Sequence, residues 1–142
     1  MNQKPAHFYK QSAVIPYRIS EGQLEILLVT SRKARRWVLP KGIQEPDMSA
    51  AESAAKEALE EAGVEGPTSE QAVGHYSYEK WSGVCFVEIF PMRVETVHSE
   101  WLESYRDRVW VSASEAANLV KEPELKNLFL EVGANPKLLL DW

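Results

Sequence analysis

Three glutamates near the middle of the chain are spaced so that they could act together. Glu57, Glu60 and Glu61 lie three and four residues apart, and in an α-helix this spacing puts their side chains on one face. Neighbouring carboxylates repel one another, and the helix dipole disfavours anions near a helix C-terminus. A hard divalent cation such as Mg²⁺, which takes oxygen ligands, would make the cluster a site. The alternative is an ordinary acidic helix face in contact with water, and the glutamates alone leave both open.

The residues around the glutamates predict the helix that this spacing requires. Ser49 is a candidate N-cap, and Glu52 three residues later completes a capping box. Gly63 is the stop signal expected just beyond the last turn. The opposite side carries mostly small side chains that favour close packing, namely Ala51, Ala54, Ala55, Ala58, Leu59 and Ala62.

A group of cations precedes the helix within ten residues: Arg32, Lys33, Arg35, Arg36 and Lys41. Arginine forks match phosphate oxygens in a bidentate manner. In a chain with a formal net charge of −5, this clustering indicates a loop that reads phosphate. A solvated basic loop is the alternative.

Length and composition limit the class of protein. The 142 residues are the size of one domain, with 44% hydrophobic and 26% charged residues as in soluble globular proteins. The apolar runs fall far short of the roughly 20 residues that a membrane helix needs, and the polar residues 1–10 do not resemble a secretion leader. A negative charge argues against nucleic-acid polymers as partners. We therefore expect a cytoplasmic domain over 13–142, monomeric or homodimeric and without a membrane partner, after a flexible arm over 1–12.

The remaining pattern predicts a mixed sheet with helices on its faces. A hairpin is expected from strands at 13–19 and 24–30, joined by a four-residue loop. Further strands are expected at 37–39, 72–78, 83–94 and 109–111, with a loop at 64–71 and a charged stretch at 95–108. Two further helices are expected, from Ser112 or Ser114 to about Val120 and from Pro123 to about Val132. Cys85 is interpreted as a small buried hydrophobic residue.

Gly42 and the segment 56–64 together resemble the Nudix box, G-x5-E-x7-R-E-U-x-E-E-x-G-U, in which U is a bulky aliphatic residue. Five of its seven fixed positions match, at Gly42, Glu57, Glu60, Glu61 and Gly63. The resemblance covers most of 13–130 and implies a Nudix-type α/β/α sandwich with a mixed β-sheet. Flanking segments are similar to diphosphoinositol polyphosphate and diadenosine polyphosphate hydrolases, at 16–18, 27–32, 36–42, 101–103 and 108–110.

The resemblance implies a metal-dependent pyrophosphohydrolase that uses Mg²⁺ or Mn²⁺. Glu57 and Glu61 would bind the metal with the Gly42 carbonyl, and Glu60 would hold a further metal or its water, or take a proton. The general base stays open among Glu60, Glu88, Glu95, Glu100 and Glu103. The residues expected to bind substrate are Arg18, Arg32, Arg36, Lys41 and Arg108. Trp81 is the better candidate for stacking on a base, whereas Trp37 and Trp110 are expected in the core.

Two positions depart from the box, because Met48 and Lys56 stand where the family has glutamate and arginine. In the family that pair is thought to orient the loop against the helix. Here Met48 can pack on the stem of Lys56, or Asp47 can take over part of the contact. The expected substrate is a diadenosine polyphosphate or a diphosphoinositol polyphosphate. The alternatives are a house-cleaning nucleoside triphosphate pyrophosphatase and a catalytically idle domain that binds a nucleotide or a regulatory partner.

Overall fold

The longest strand, β1, organises the sheet. The computed structural model describes residues 7–80 and 82–142. The strands are β1 (His7–Ser20), β2 (Gln23–Thr30), β3 (Trp37–Val38), β4 (Lys41–Ile43), β5 (Val64–Glu65), β6 (Gly74–Lys80), β7 (Gly83–Arg93), β8 (Thr96–Val97) and β9 (Arg108–Val111). The helices are α1 (Ala50–Ala62), α2 (Ala113–Leu119), α3 (Pro123–Ala134) and α4 (Lys137–Leu140).

The main sheet is mixed, as predicted. Its order is β3-β2-β1-β7-β6, with β4 also pairing with β1 and β9 with β2. The β1–β7 pair is parallel, whereas the other pairs are antiparallel. One side of β1 therefore pairs with β7, and the other side is shared between β2 and β4.

Alternation along β1 builds a core on each face of the sheet. Ala13 and Ile15 face a cluster with residues of α2 and α3, whereas Val14 faces the buried alanines of α1. The helices thus cover both faces, which confirms the predicted α/β/α sandwich.

The local signals at the ends of α1 work as predicted. The Ser49 side chain accepts from the backbone N–H of Glu52, and the Glu52 side chain accepts from the Ser49 N–H. Gly63 ends the helix at a φ of 67°, in the left-handed region that favours glycine.

Several boundaries differ from the prediction. The first hairpin has a two-residue loop rather than four, because Glu21 and Gly22 both take positive φ values, 52° and 77°, as in a type I′ turn. β1 begins at His7, so residues 7–12 belong to the sheet and not to the expected arm. Residues 1–6 and Trp81 lie outside the described residues.

Four short elements were not predicted: β4, β5, β8 and α4. β5 and β8 pair with each other in segments that were expected to be loop and charged stretch, since two-residue strands carry no readable period. In the described part of the chain, no helix is both long and apolar enough to cross a membrane.

Candidate active site

Gly42 lies against the carboxyl group of Glu57. β4 places Gly42 opposite Ser12 of β1, and α1 brings Glu57 to the same point. A β-carbon on Gly42 would lie 2.5 Å from Cδ of Glu57 and 2.6 and 2.7 Å from its two oxygens. Position 42 must therefore lack a side chain for Glu57 to keep this position.

Glu61 is the most deeply buried of the three predicted carboxylates, with 7% of its surface exposed. Its Oε1 lies 3.4 Å from the backbone N–H of Lys41, which donates to it. Burial raises the pKa of Glu61 to about 8; Arg106 opposes the rise, and the charge of Glu57 adds to it. Glu61 therefore does not lie on an ordinary helix face in contact with water.

Glu57 and Glu60 complete the cluster at the surface of α1. Burial, followed by the charges of Glu60 and Glu103, raises the pKa of Glu57 to about 6. Glu60 is partly exposed, and its Oε2 lies 3.8 Å from the ammonium of Lys56. The structure therefore brings the predicted carboxylates together closely enough for their charges to interact.

The segment 101–108 donates hydrogen bonds to the C-terminal end of α1, which carries no basic residue in its last turn. Its donors reach three successive helix carbonyls: the Trp101 indole N–H reaches Glu61, the Glu103 backbone N–H reaches Glu60, and Arg108 Nη1 reaches Ala62, at 3.0, 2.9 and 2.7 Å. These bonds satisfy carbonyls that a helix end leaves without partners. They also fix the backbone from which the glutamates project.

Arg106 and Glu103 form an ion pair beside the cluster, and sequence reasoning missed Arg106. The Arg106 Nε and Nη2 donate to Oε1 of Glu103 at 3.0 and 2.8 Å, and Nη1 donates to the Thr30 carbonyl at 2.8 Å. Arg106 is 8% exposed. The pair holds Glu103 close enough to raise the pKa of Glu57. No local signal revealed it, because the stretch 95–108 has no helix or strand period.

A basic cleft of about 780 Å³ lies beside the segment 101–108, which contributes Tyr105 to its lining. Its lining is Ser31, Arg32, Lys33, Ala34, Arg36, Lys80 and Tyr105. The Tyr105 hydroxyl donates to Oε1 of Glu103 at 3.0 Å, so the cleft adjoins the ion pair beside the carboxylates. Arg32 and Arg36, two of the predicted substrate residues, are therefore brought together in the cleft.

Lys41 lies between the cleft and the carboxylates. Burial is the main cause that lowers the pKa of its ammonium, which Glu61 opposes and Arg36 reinforces. Its Nζ lies 5.3 Å from the ring centroid of Tyr78, within the range of a cation–π contact. Its backbone N–H donates to Glu61, so Lys41 contacts the cluster as well as the cations.

Comparison with known proteins identifies the family. The profile of the NUDIX domain matches residues 9–132, which is most of the chain. The chain belongs to the Nudix family. Nudix hydrolase 21, chloroplastic, from Arabidopsis thaliana is 35% identical over 130 residues, covering 87% of this chain and 65% of that protein. Diphosphoinositol polyphosphate phosphohydrolase 3-beta from Bos taurus is 29% identical over 121 residues, covering 82% and 72%.

Solved structures share the Nudix fold. A Caenorhabditis elegans Ap4A hydrolase in a binary complex superposes with a TM-score of 0.70 at 22% identity, covering 89% of this chain and 96% of that one. The chain spans slightly less than two thirds of the length of the first curated relatives it matches. Those relatives are named as chloroplastic or mitochondrial, so the expected cytoplasmic location stays a prediction.

At the two positions that depart from the Nudix box, the structure gives Lys56 a carboxylate partner other than Asp47. The ammonium of Lys56 lies 2.6 Å from Oε1 of Glu45, three residues before Met48. Asp47 makes no ion pair with Lys56, so the expectation for Asp47 is wrong, whereas the packing of Met48 on the Lys56 stem stays a prediction. Glu45 supplies the carboxylate that the box has at position 48.

The donor set of this Nudix site fits a hard divalent cation. The carboxyl groups of Glu57, beside Gly42, and of Glu61, at the backbone N–H of Lys41, both have raised pKa values. The Oγ of Ser12, opposite Gly42 in the sheet, is buried with no hydrogen-bond partner. Among the described residues, no three acidic, histidine or cysteine side chains converge closely enough to hold a metal by themselves. Mg²⁺ suits such a site, because it usually binds one or two carboxylates and takes waters and substrate phosphates as its other ligands.

Two predicted substrate residues lie elsewhere. Arg18 pairs with Glu25 at 2.8 Å and stacks 4.1 Å from the Trp110 ring. It is six residues beyond Ser12 on β1, so about 20 Å further along the strand. Arg108 donates to the Ala62 and His98 carbonyls, so it holds the end of α1.

The contacts of the remaining predicted residues show which of them lie near the carboxylates. Of the proposed bases outside α1, Glu103 is beside Glu57, whereas Glu88 pairs with Lys10 at 3.4 Å and Glu95 with Arg93 at 3.8 Å. Glu100 is exposed. Cys85 is buried, as expected. Trp37 and Trp110, which were expected in the core, are partly buried and pack against its two clusters.

Proposed function

We propose that this chain is a metal-dependent Nudix pyrophosphohydrolase that cleaves a phosphoanhydride bond in a highly phosphorylated small molecule. One observation carries the proposal: the half-buried Glu57 beside Gly42 and the buried Glu61, both with raised pKa values, adjoin a cleft lined by four cationic side chains. Carboxylates that suit a metal and cations that suit phosphate thus lie on neighbouring surfaces.

Each set of residues has a distinct task in this proposal. Glu57 and Glu61 would hold Mg²⁺ or Mn²⁺ together with the Gly42 carbonyl, with Glu60 at the outer side. The bound ion would screen the phosphate charge and lower the pKa of a coordinated water. Arg32 and Arg36 bind and orient the polyphosphate, and Lys41 neutralises charge between cleft and cluster. Glu103, held by Arg106, is placed to accept a proton, with Glu60 as the alternative base.

The cleft and the relatives support a substrate with several phosphates. The cations of the cleft favour a substrate with several adjacent phosphates. Diphosphoinositol polyphosphate and Ap4A appear in the names of two similar proteins. We therefore propose a diadenosine polyphosphate or a diphosphoinositol polyphosphate as the substrate.

The test is hydrolysis of a substrate panel in the presence of Mg²⁺. Ion-exchange chromatography would follow dinucleoside polyphosphates, diphosphoinositol polyphosphates and nucleoside triphosphates with the wild type and Glu61→Gln. We expect wild-type turnover of one of the first two classes and a loss of at least about 100-fold in the variant. Preferred turnover of triphosphates would assign a nucleotide pyrophosphatase instead. Equal background rates for both proteins would overturn the enzyme and favour a binding domain.

A further inference from the structure

Lys56 stands between carboxylates on two different elements. Its Nζ lies 2.6 Å from Glu45, in the loop between β4 and α1, and 3.8 Å from Glu60, one turn along α1. The charge of Lys56 also lowers the pKa of the neighbouring Glu57, whereas Glu45 raises it. A single ammonium is therefore shared among the acids that surround the proposed metal site.

The loop that carries Glu45 is fastened to α1 at a second point. The backbone N–H of Glu45 donates to the Ser53 hydroxyl at 3.2 Å, and that hydroxyl donates to the Ile43 carbonyl at 3.5 Å. Ser53 is 1% exposed. Because the backbone is fixed, the Glu45 carboxylate has a defined place from which to hold Lys56.

The neighbouring acid makes no equivalent contact. Asp47 is exposed and forms no hydrogen bond or ion pair with any residue in the described ranges. Met48 has no charge to offer. Lys56 therefore pairs with Glu45 because of the conformation of this loop, and not merely because the loop contains acidic residues.

We propose that Glu45 is a positioning residue that holds the Lys56 ammonium at the loop and so leaves the Glu57 and Glu60 carboxylates available to a divalent cation. This inference rests on the proposed function. Glu45 holds the ammonium at 2.6 Å, and the Glu60 contact is long at 3.8 Å. Without the Glu45 charge, Lys56 keeps Glu60 as its ion-pair partner, and a closer pair there competes directly with the cation. Outer partners of this kind commonly change metal affinity or activity by about 10- to 100-fold.

The chain offers a matched pair of variants for the test. Glu45→Gln and Asp47→Asn each remove one negative charge from the same loop, but only the first removes a partner of Lys56. Mn²⁺ affinity would be measured from the electron paramagnetic resonance signal of free Mn²⁺, with circular dichroism as the check on folding. We expect the Kd for Mn²⁺ to rise about tenfold or more in Glu45→Gln and to stay within about twofold in Asp47→Asn.

Kinetics and rescue separate positioning from general loop damage. In Glu45→Gln we expect kcat to fall about tenfold with KM changed less than about twofold. Adding Met48→Glu to Glu45→Gln restores a carboxylate at the family's position, so it should recover most of the Mn²⁺ affinity. Equal affinities of the two single variants, or no rescue, would overturn the inference. A wild type that binds Mn²⁺ but hydrolyses nothing would count against the proposed function alone, because the affinities still test Glu45.

Discussion

The carboxyl group of Glu57 fills the space that a side chain on Gly42 would need, at 2.5 Å from a built β-carbon. Gly42→Ala should therefore displace the end of this flexible side chain without strain in the backbone. We expect the metal affinity to fall about tenfold or more, while the midpoint temperature of thermal unfolding changes by only a few degrees. Calorimetric Mn²⁺ titration and thermal unfolding measure the two effects.

Gly133→Ala is the control for that substitution. Its β-carbon would lie at an ordinary 3.5 Å from the side chain of Ala113, inside α3. An alanine there should stabilise the helix by about 0.5 to 1 kcal/mol and leave Mn²⁺ binding unchanged. Equal Mn²⁺ affinities in both variants would show that the Gly42–Glu57 contact does not shape the metal site.

The buried Glu61 should make the metal-free protein less stable as the pH rises. Its pKa is raised from 4.5 to about 8 by burial, so between these values the folded chain keeps a proton that the unfolded chain has lost. The free energy of unfolding then falls with increasing pH across this window and levels off above it. The fall amounts to a few kcal/mol, because a difference of one in pKa corresponds to about 1.4 kcal/mol.

Urea unfolding in EDTA from pH 5 to 9 measures this slope. Glu61→Gln removes the titrating group and should flatten much of it, leaving the smaller part that Glu57 contributes. Added Mg²⁺ should stabilise the wild type most at high pH, where the carboxylates are ionised. The exposed Glu131→Gln serves as the control, and an unchanged slope in Glu61→Gln would contradict the prediction.

Arg106 should matter more for stability than an exposed arginine. Its guanidinium donates twice to Glu103 and once to the Thr30 carbonyl. Arg106→Gln removes these charged donors and leaves Glu103 with the Tyr105 hydroxyl. We expect a loss of about 3 kcal/mol or more, against less than about 1 kcal/mol for Arg93→Gln, whose ion pair with Glu95 is exposed. Urea unfolding would measure both, and similar losses would show that the buried pair has no special weight.

Arg36 and Arg18, both predicted to bind substrate, should differ in their effect on substrate binding. Arg36 lines the cleft, 3.5 Å from Glu122, whereas Arg18 lies about 20 Å along β1 from the Gly42 partner. Arg36→Gln is expected to raise KM about tenfold, as loss of a charged phosphate contact does, and Arg18→Gln to leave it within about twofold. Steady-state kinetics would decide, and equal KM values would remove the cleft from the substrate site.

The sequence determined α1 and the face on which its glutamates lie. The Ser49 capping box, the Gly63 stop and the helical spacing of Glu57, Glu60 and Glu61 all act between residues a few positions apart, so their physics is visible in the local pattern. Family resemblance added Gly42, whose contact with Glu57 forms only when β4 and α1 pack together.

Only the tertiary structure decided which charges surround those glutamates. Arg106 and Glu103 reach the cluster from a segment 40 or more residues away that has no helical or strand period. Lys56 pairs with Glu45 because the backbone of the loop is fixed to Ser53. Arg18 and Arg108 look like the cleft arginines in sequence, yet strand register and the end of α1 take them elsewhere. Burial and Coulomb interaction depend on distance in space, which the order of residues along the chain does not contain.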